Sequence, residues 1–453
     1  MAYKILWYSM ASLHDTSNGA AICNKVLLEA LVRRGFEVKV LNTMAADDPQ
    51  GMKEFEQLVK TRLNPSIDSP FWQFTDNGIE YFVVQTTNRN VQAINRGEQD
   101  TMFNFYSQLL EKFQPDLVMG YGGDLYSCYL RYEAQCRGIA VAYALCNGFH
   151  HEFAFGHCDL VFAPSQALSD SYREQDGVEV KAVGQFINKA KVVAADRSNA
   201  KYITLVNPMY RKGLAVLVKL AMIWQKRHPE QKFLVVKSVG DYAQLVRHLH
   251  YADGTPFISE QDLQRNPRIV AQLLPNIDVA EHTNDMRLVY ALTKVLLAPS
   301  VYEEAWGCVA TEATFNHIPV LATNNCGLPE AVGEGGIVLP PPPSSQADNL
   351  CIPSDEEIAP YVAALERLLN EDWTEACARA SANNDVERSV DRLLVYLQPL
   401  LEKAQKNKHP FSGSAYVTAK SLQKREQEFK AKQELDAAAA PKLETPAAPQ
   451  PAE

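Results

Sequence analysis

The stretch LLAPSVYEEAWGCVATEATFNHIPVLATNNCGLPE, residues 296–330, admits few folds. Val295-Leu296-Leu297-Ala298 is a short apolar run closed by Pro299 and Ser300, the pattern of a buried strand. A loop with two acids, Glu303 and Glu304, follows. Gly307 then opens a helix expected to run to about Asn316, and Pro319-Val320-Leu321-Ala322 starts the next strand. Strand, glycine at a helix mouth, helix and strand make one βαβ unit. Unpaired amides and the positive end of the helix dipole suit that mouth to a phosphate, and a glycine there lets a ligand approach the backbone. Glu304 precedes the mouth, and Glu312 lies about 7.5 Å past Gly307 along the helix axis. This spacing suits a diphosphate on the amides around Gly307 and Cys308, with sugar hydroxyls on either side. It suits equally well two glutamates that act as caps and dipole partners.

Glu304-Ala-Trp-Gly-Cys-Val-Ala-Thr-Glu312 resembles the E-x7-E signature of retaining glycosyltransferases of the GT-B fold, the large family-four class. Glu312-Ala313, Pro319-Val320 and Gly327-Leu328-Pro329-Glu330 extend the resemblance, with Cys326-Gly327 where the usual form has two glycines. The resemblance implies that Glu304 contacts the donor sugar and Glu312 the nucleoside ribose.

The 453 residues allow two or three domains, and 46% hydrophobic content is ample for their cores. A net charge of −10 argues against a dominant nucleic-acid or anionic-membrane surface. No run of eighteen apolar residues exists, so no transmembrane helix is expected, and the N-terminus reads as a first strand, not a signal peptide. The nine cysteines are dispersed without a CxxC pair, which suggests reduced cytosolic thiols and neither a disulfide framework nor a zinc site.

Along the chain, residues 3–8 form strand one. The loop 9–19 leads through Ser17-Asn18-Gly19 into a helix with Ala21, Val26, Leu27, Ala30 and Leu31 at helical spacing, and residues 36–42 form strand two. This opening resembles the first βα unit of the same glycosyltransferases, which implies that the loop at Gly19 faces the donor diphosphate and the acceptor. Residues 71–85 alternate around Asp76-Asn77-Gly78, a hairpin pattern. Met102, Phe103, Tyr106, Leu109, Leu110 and Phe113 make a helical core stripe. A strand at 115–119 ends in Gly120-Tyr121-Gly122-Gly123, and strands with glycine ends border crevices in α/β sheets. After the strand 139–145, family members often carry a histidine that contacts the donor sugar. Here Cys146 or Asn147 holds the aligned place, and His150 or His151 a few residues on is the available replacement. Residues 157–165 and 180–188 resemble the last strands of the family's first domain.

The second domain restarts with the strand 202–206. Asn207-Pro208-Met209-Tyr210-Arg211-Lys212-Gly213 follows, with two bases at a strand-to-helix turn suited to phosphate charge. This stretch resembles the family's Gly-Arg…Lys-Gly element. Lys212-Gly213 matches its end, Asn207 sits near the family's arginine, and Arg211 is the possible replacement base. Residues 233–236 are the next strand. His248-Leu249-His250 reads as a surface helix or loop. Residues 268–274 and 284–291 resemble the base-binding strand and its following helix. Residues 333–336 read as a turn, 340–345 as a loop, and 361–369 and 386–404 as helices.

The expected fold class is α/β, with two Rossmann-like domains, 1–190 and 200–385, facing a cleft. A C-terminal helix, 386–408, is expected to cross back to the first domain. A charged, then Ala/Pro-rich tail, 409–453, is expected to be disordered. The expected function is a cytoplasmic retaining glycosyltransferase with a nucleoside-diphosphate sugar as donor, no cofactor and no metal. Glu304 and Lys212 would be catalytic. Glu312, Gly307, Cys308, Arg211, Asn207, Gly19, Asn147 and His150 would bind donor. The acceptor is an unspecified glycan, lipid or protein; nucleic acid is not expected, and membrane contact is at most peripheral. The rival expectations are an epimerase or phosphorylase on the same fold, and a catalytically degenerate partner subunit.

Overall fold

The computed structural model describes residues 2–62, 70–238, 240–266, 268–406 and, beyond them, 427, 430 and 431. Residues Met1–His409 form one compact unit. Of the second, Pro410–Glu453, the three described residues are helical. The rest of the tail expected to be disordered, 409–453, lies outside the described residues.

Among the described residues, the larger unit holds two sheets. The first contains β1 (Lys4–Ser9), β2 (Glu37–Thr43), β3 (Phe71–Asp76), β4 (Ile79–Val84), β5 (Leu117–Tyr121), β6 (Ala140–Ala144), β7 (Leu160–Ala163) and β8 (Val180–Ala182), in the order β3-β4-β2-β1-β5-β6-β7-β8. The second contains β9 (Tyr202–Val206), β10 (Phe233–Val236), β11 (Ile277–Ala280), β12 (Thr293–Ala298), β13 (Val320–Thr323) and β14 (Gly336–Leu339), in the order β11-β10-β9-β12-β13-β14. Every pairing is parallel except β3 with β4. Each parallel set follows the doubly wound order, outward from the first strand on one side and then on the other. The crevice of such a sheet opens at the carboxyl ends where the order reverses. These switch points are β1/β5 and β9/β12.

The strands follow from their sequences. β1 and β12 are near-continuous apolar runs, as parallel strands covered on both faces require. The β3–β4 hairpin turns on Asn77 and Gly78, both at positive φ, as a two-residue primed turn demands. The stripe Met102, Tyr106, Leu109, Leu110 and Phe113 is buried on the helix Arg96–Phe113, with Phe103 packed at its margin.

Three expectations change. Residues 268–274 are not a strand: Ile269–Leu273 is a short helix that buries Val270, with Leu274 buried at its end, and the edge strand is Ile277–Ala280, paired with β10. The apolar spacing there is four residues, which makes a helical face and not a pleated one. The turn expected at 333–336 ends by entering β14 at Gly336, and the loop at 340–345 contains a helix, Pro343–Ala347.

The last helix, Val386–Lys406, packs against the first-domain helix Gly19–Arg33 and against β5, β6 and β7. Leu393, Leu397 and Leu401 are fully buried in the same core as Leu27 and Leu31. Arg34 reaches Glu387 at 2.9 Å and Asp391 at 2.7 Å. Those pairs are exposed and contribute little, so the leucines hold the helix.

Candidate active site

A cavity of about 690 Å³ opens between the carboxyl ends of the two sheets. Its second-domain wall is built by the loops after β9 and β12. Directly after β9 comes Asn207, whose φ is 61°, and the chain makes a tight turn, Tyr210–Lys212, before Gly213. Gly213 has φ 88°, and a Cβ there would stand 2.1 Å from the Pro299 carbonyl oxygen, so the two loops touch through glycine. The Val301 amide donates to the Arg211 carbonyl at 3.0 Å, which ties them again.

The loop 300–306 is held from below. Thr323 Oγ1 and Asn325 Nδ2 donate to the Ser300 carbonyl at 2.6 and 2.5 Å, the Gly327 amide donates to the Glu304 carbonyl at 2.8 Å, and Trp306 Nε1 donates to Thr311 Oγ1 at 2.9 Å. Gly307, at φ 97°, caps the helix Cys308–Phe315. A Cβ at Gly307 would meet Leu328 Cδ1 at 2.3 Å.

This scaffold brings Lys212 Nζ to Glu304 Oε1 at 2.5 Å, and Ser300 Oγ donates to the same oxygen at 2.6 Å. Glu304 is 8% exposed. Burial alone would lower the Lys212 pKa, but the Glu304 carboxylate and then Tyr302 outweigh it, and the ammonium is held above its ordinary value. Glu312, on the helix Cys308–Phe315, is half-buried in the same cavity. Burial raises its carboxyl pKa, and a hydrogen bond donated by Tyr290 at 2.6 Å opposes the rise. Asn207 also lines the cavity, and its Oδ1 is buried without a hydrogen-bond partner among the described residues.

Of the residues expected at the site, Glu304, Lys212, Glu312, Gly307, Cys308, Asn207, Gly19 and Asn147 line this one cavity. Asn147 is fixed by donating from Nδ2 to Tyr121 Oη at 2.7 Å. Two do not line it. Arg211 is exposed and its guanidinium lies 5.0 Å over the Tyr302 ring. His150 hydrogen-bonds to the Tyr143 hydroxyl through Nδ1, and burial lowers its pKa. Its neighbour His151 pairs with Asp176 at 2.9 Å on the surface. Among the described residues, no group of three or more His, Cys, Asp or Glu is placed to hold a metal. His248 closes a short turn, Val246–His248, and His250 pairs with Asp348 at 3.1 Å.

Sequence reasoning missed His14. It follows β1 in the loop already placed at the cleft, yet a lone histidine carries no spacing signal. It lines the first-domain wall, packed among Phe55, Phe74 and Tyr81 with centroids at 4.7, 5.5 and 4.7 Å. Neither ring nitrogen has a partner among the described residues, and burial, with a smaller effect of Lys25, pushes its pKa down to about 3. Beside it, Lys25 and Asp76 form an ion pair at 2.9 Å. Tyr290 and Ser300 were also missed, because their roles exist only through the glutamates they contact.

Residues 187–384 match the family model for glycosyl transferases group 1. The matched stretch takes in the loops after β9 and β12 just described. The D-inositol 3-phosphate glycosyltransferase of Corynebacterium kroppenstedtii is 29% identical over 191 residues, which is 40% of this chain and 40% of that protein. The match therefore spans well under half of the curated relative's length. Sucrose-phosphate synthase from Thermosynechococcus elongatus superposes with a TM-score of 0.61 at 16% identity, covering 88% of this chain and 100% of that one. HepE of Anabaena, solved with UDP and glucose, gives 0.60 at 15% identity, covering 87% and 99%. These likenesses establish the fold as two Rossmann-like domains of the GT-B type. Among the described residues, no helix is long and apolar enough to cross a membrane.

Proposed function

We propose that the protein is a cytoplasmic retaining glycosyltransferase that moves a sugar from a nucleoside-diphosphate sugar to an acceptor held on the first-domain wall. One observation carries the reading: Lys212, Glu304, the Gly307 helix mouth and Glu312 share a single cavity at the switch points of both sheets. The diphosphate lies on the amides at the start of the helix Cys308–Phe315, where Lys212 and the helix dipole stabilise the charge that develops as the glycosidic bond breaks. Glu304 orients the donor sugar, and Glu312 takes the ribose diol. The acceptor hydroxyl attacks the face that the diphosphate leaves, which retains the configuration. The reading requires no cofactor and no metal. The acceptor is a glycan, lipid or protein. Closure of the cleft excludes water and limits hydrolysis of the donor.

HepE is solved with UDP and UDP-glucose, which makes a UDP-sugar the first donor to try. The test is a thermal-shift screen of purified protein against UDP-, GDP-, ADP- and CDP-sugars without added metal. A ligand that binds the native state alone raises the melting temperature by mass action. The reading expects a shift with one base, lost in Glu312→Ala. A second reading, a degenerate partner subunit, is favoured by the positions of Arg211 and His150 outside the cavity. No shift with any nucleotide sugar at millimolar concentration overturns the transferase reading in favour of that one.

A further inference from the structure

Two cysteines from opposite sides of the cleft meet beside the cavity. Cys23 sits on the helix Gly19–Arg33 of the first domain, and Cys308 is the first residue of the helix Cys308–Phe315 of the second. Their Sγ atoms are 3.7 Å apart, although 285 residues separate them in sequence. Cys308 lines the cavity and is partly open, whereas Cys23 is 4% exposed and does not line it. A third thiol, Cys146, also lines the cavity, with its Sγ taken up by Asn24 Nδ2 at 3.4 Å. Cys23, Cys146 and Cys308 carry no disulfide in this structure. Neither the proposed transfer chemistry nor the packing of an apolar core needs paired thiols at this spot.

We infer that Cys23 and Cys308 form an oxidant-sensitive pair, in which a peroxide entering the cavity converts them to a disulfide that fastens the two domains across the cleft. The steps balance. The Cys308 sulfur attacks the peroxide; an S–O bond forms, the O–O bond breaks and one water leaves with the thiol proton. The Cys23 sulfur then displaces the hydroxyl from the Cys308 sulfenic acid; the S–S bond forms and a second water carries away the Cys23 proton. Two thiols are oxidised by two electrons and the peroxide is reduced to water.

The roles follow from access. Peroxide reaches Cys308 through the cavity, and the buried Cys23, its Sγ 3.7 Å away, is placed to resolve the sulfenic acid. The Cys23 pKa is raised first by its hydrogen bond to Cys308 and then by burial, which makes it a poor first nucleophile. Burial pushes the Cys146 thiol up to about 12, which holds it back as a competitor. Closing a 3.7 Å contact to a bond of about 2.05 Å needs a shift that side-chain rotation and slight domain movement supply. The product blocks opening of the cleft and crowds the helix mouth. Its effect on turnover rests on the proposed transferase reading; formation of the bond does not.

The test uses the full chain treated with hydrogen peroxide, followed by alkylation and non-reducing peptide mapping, with wild type beside Cys23→Ser. The expected result is a Cys23–Cys308 linked peptide in wild type, removed by dithiothreitol and absent in the variant. Oxidation should raise the wild-type melting temperature, because the link closes a very long loop in the unfolded chain, and leave that of Cys23→Ser unchanged. Cys23→Ala replaces Cys23→Ser if the serine hydroxyl disturbs the buried position. Where a nucleotide sugar is turned over, peroxide should abolish wild-type turnover reversibly and spare the variant. A link from Cys308 to Cys146, irreversible oxidation of Cys308 without a link, or no link at all overturns the inference. The peptide map is scored without an activity assay, so failure of the transferase reading leaves it intact.

Discussion

Glu330 of the second domain caps a helix that begins at Gln166 in the first. Its carboxylate accepts from the Gln166 amide at 2.9 Å and from the Ala167 amide at 2.8 Å, while Ser165 Oγ accepts from the Leu168 amide at 3.2 Å. Three of the four amides that a helix start leaves unpaired are thus satisfied, two of them from across the cleft. The motif that ends in Glu330 therefore couples the angle of the cleft to the stability of Gln166–Gln175.

Glu330→Ala should destabilise the protein by about 1 kcal/mol, the usual worth of a cap with a charge on a helix dipole. The loss should shrink in high salt. Urea unfolding at low and high ionic strength measures it, and an unchanged midpoint in both would show that the contact does not form in solution.

Glu304→Gln keeps the volume of the side chain and removes the charge paired with Lys212. Turnover should fall by on the order of 10²-fold, the scale of losing one electrostatic contact in a closed site. The nucleotide-sugar thermal shift should survive, since Glu312 and the helix mouth are untouched. A variant with full turnover would remove Glu304 from the chemistry.

Glu312 has its folded pKa raised above the ordinary 4.5 by burial. The native state therefore holds this proton more tightly than the unfolded state, and stability falls as pH rises from about 4.5 through the folded value. Glu312→Gln should be more stable than wild type at pH 7, with the advantage vanishing below pH 4.5. Equal stability of the two at neutral pH contradicts this, and nucleotide binding should weaken in the variant at every pH.

His14 works in the other direction. Its folded pKa is about 3, so between the ordinary 6.5 and that value the unfolded state takes up a proton that the native state refuses. Stability should decline steadily as pH falls through this window. His14→Phe, set among Phe55, Phe74 and Tyr81, should flatten the decline. Parallel wild-type and variant curves between pH 6.5 and 3 would show that His14 is not the group that titrates.

The site was legible in proportion to how local its parts are. Gly307, Glu304 and Glu312 lie on one βαβ unit, so their spacing along the chain already sets their spacing in space. Lys212-Gly213 was found as a strand-to-helix turn for the same reason. Arg211 and His150 carried no such constraint. Each belongs to a loop whose path depends on neighbours, and one guanidinium settled on Tyr302 while one imidazole turned back to Tyr143. Residues 268–274 were misread because a short apolar run fits a buried strand or a helix face equally, and the partner strand decides.

The sequence by itself determined the alternation of strands and helices, the two apolar sheets and the phosphate-suited helix mouth, because period, glycine placement and burial demand act within about thirty residues. Only the tertiary structure decided that Cys23 meets Cys308, that Glu330 caps Gln166–Gln175, and that His14 sits buried among aromatic rings. Those relations join residues hundreds of positions apart or depend on the closure of one sheet upon another. No local pattern encodes them, since each side chain's environment is supplied by chain that folds elsewhere.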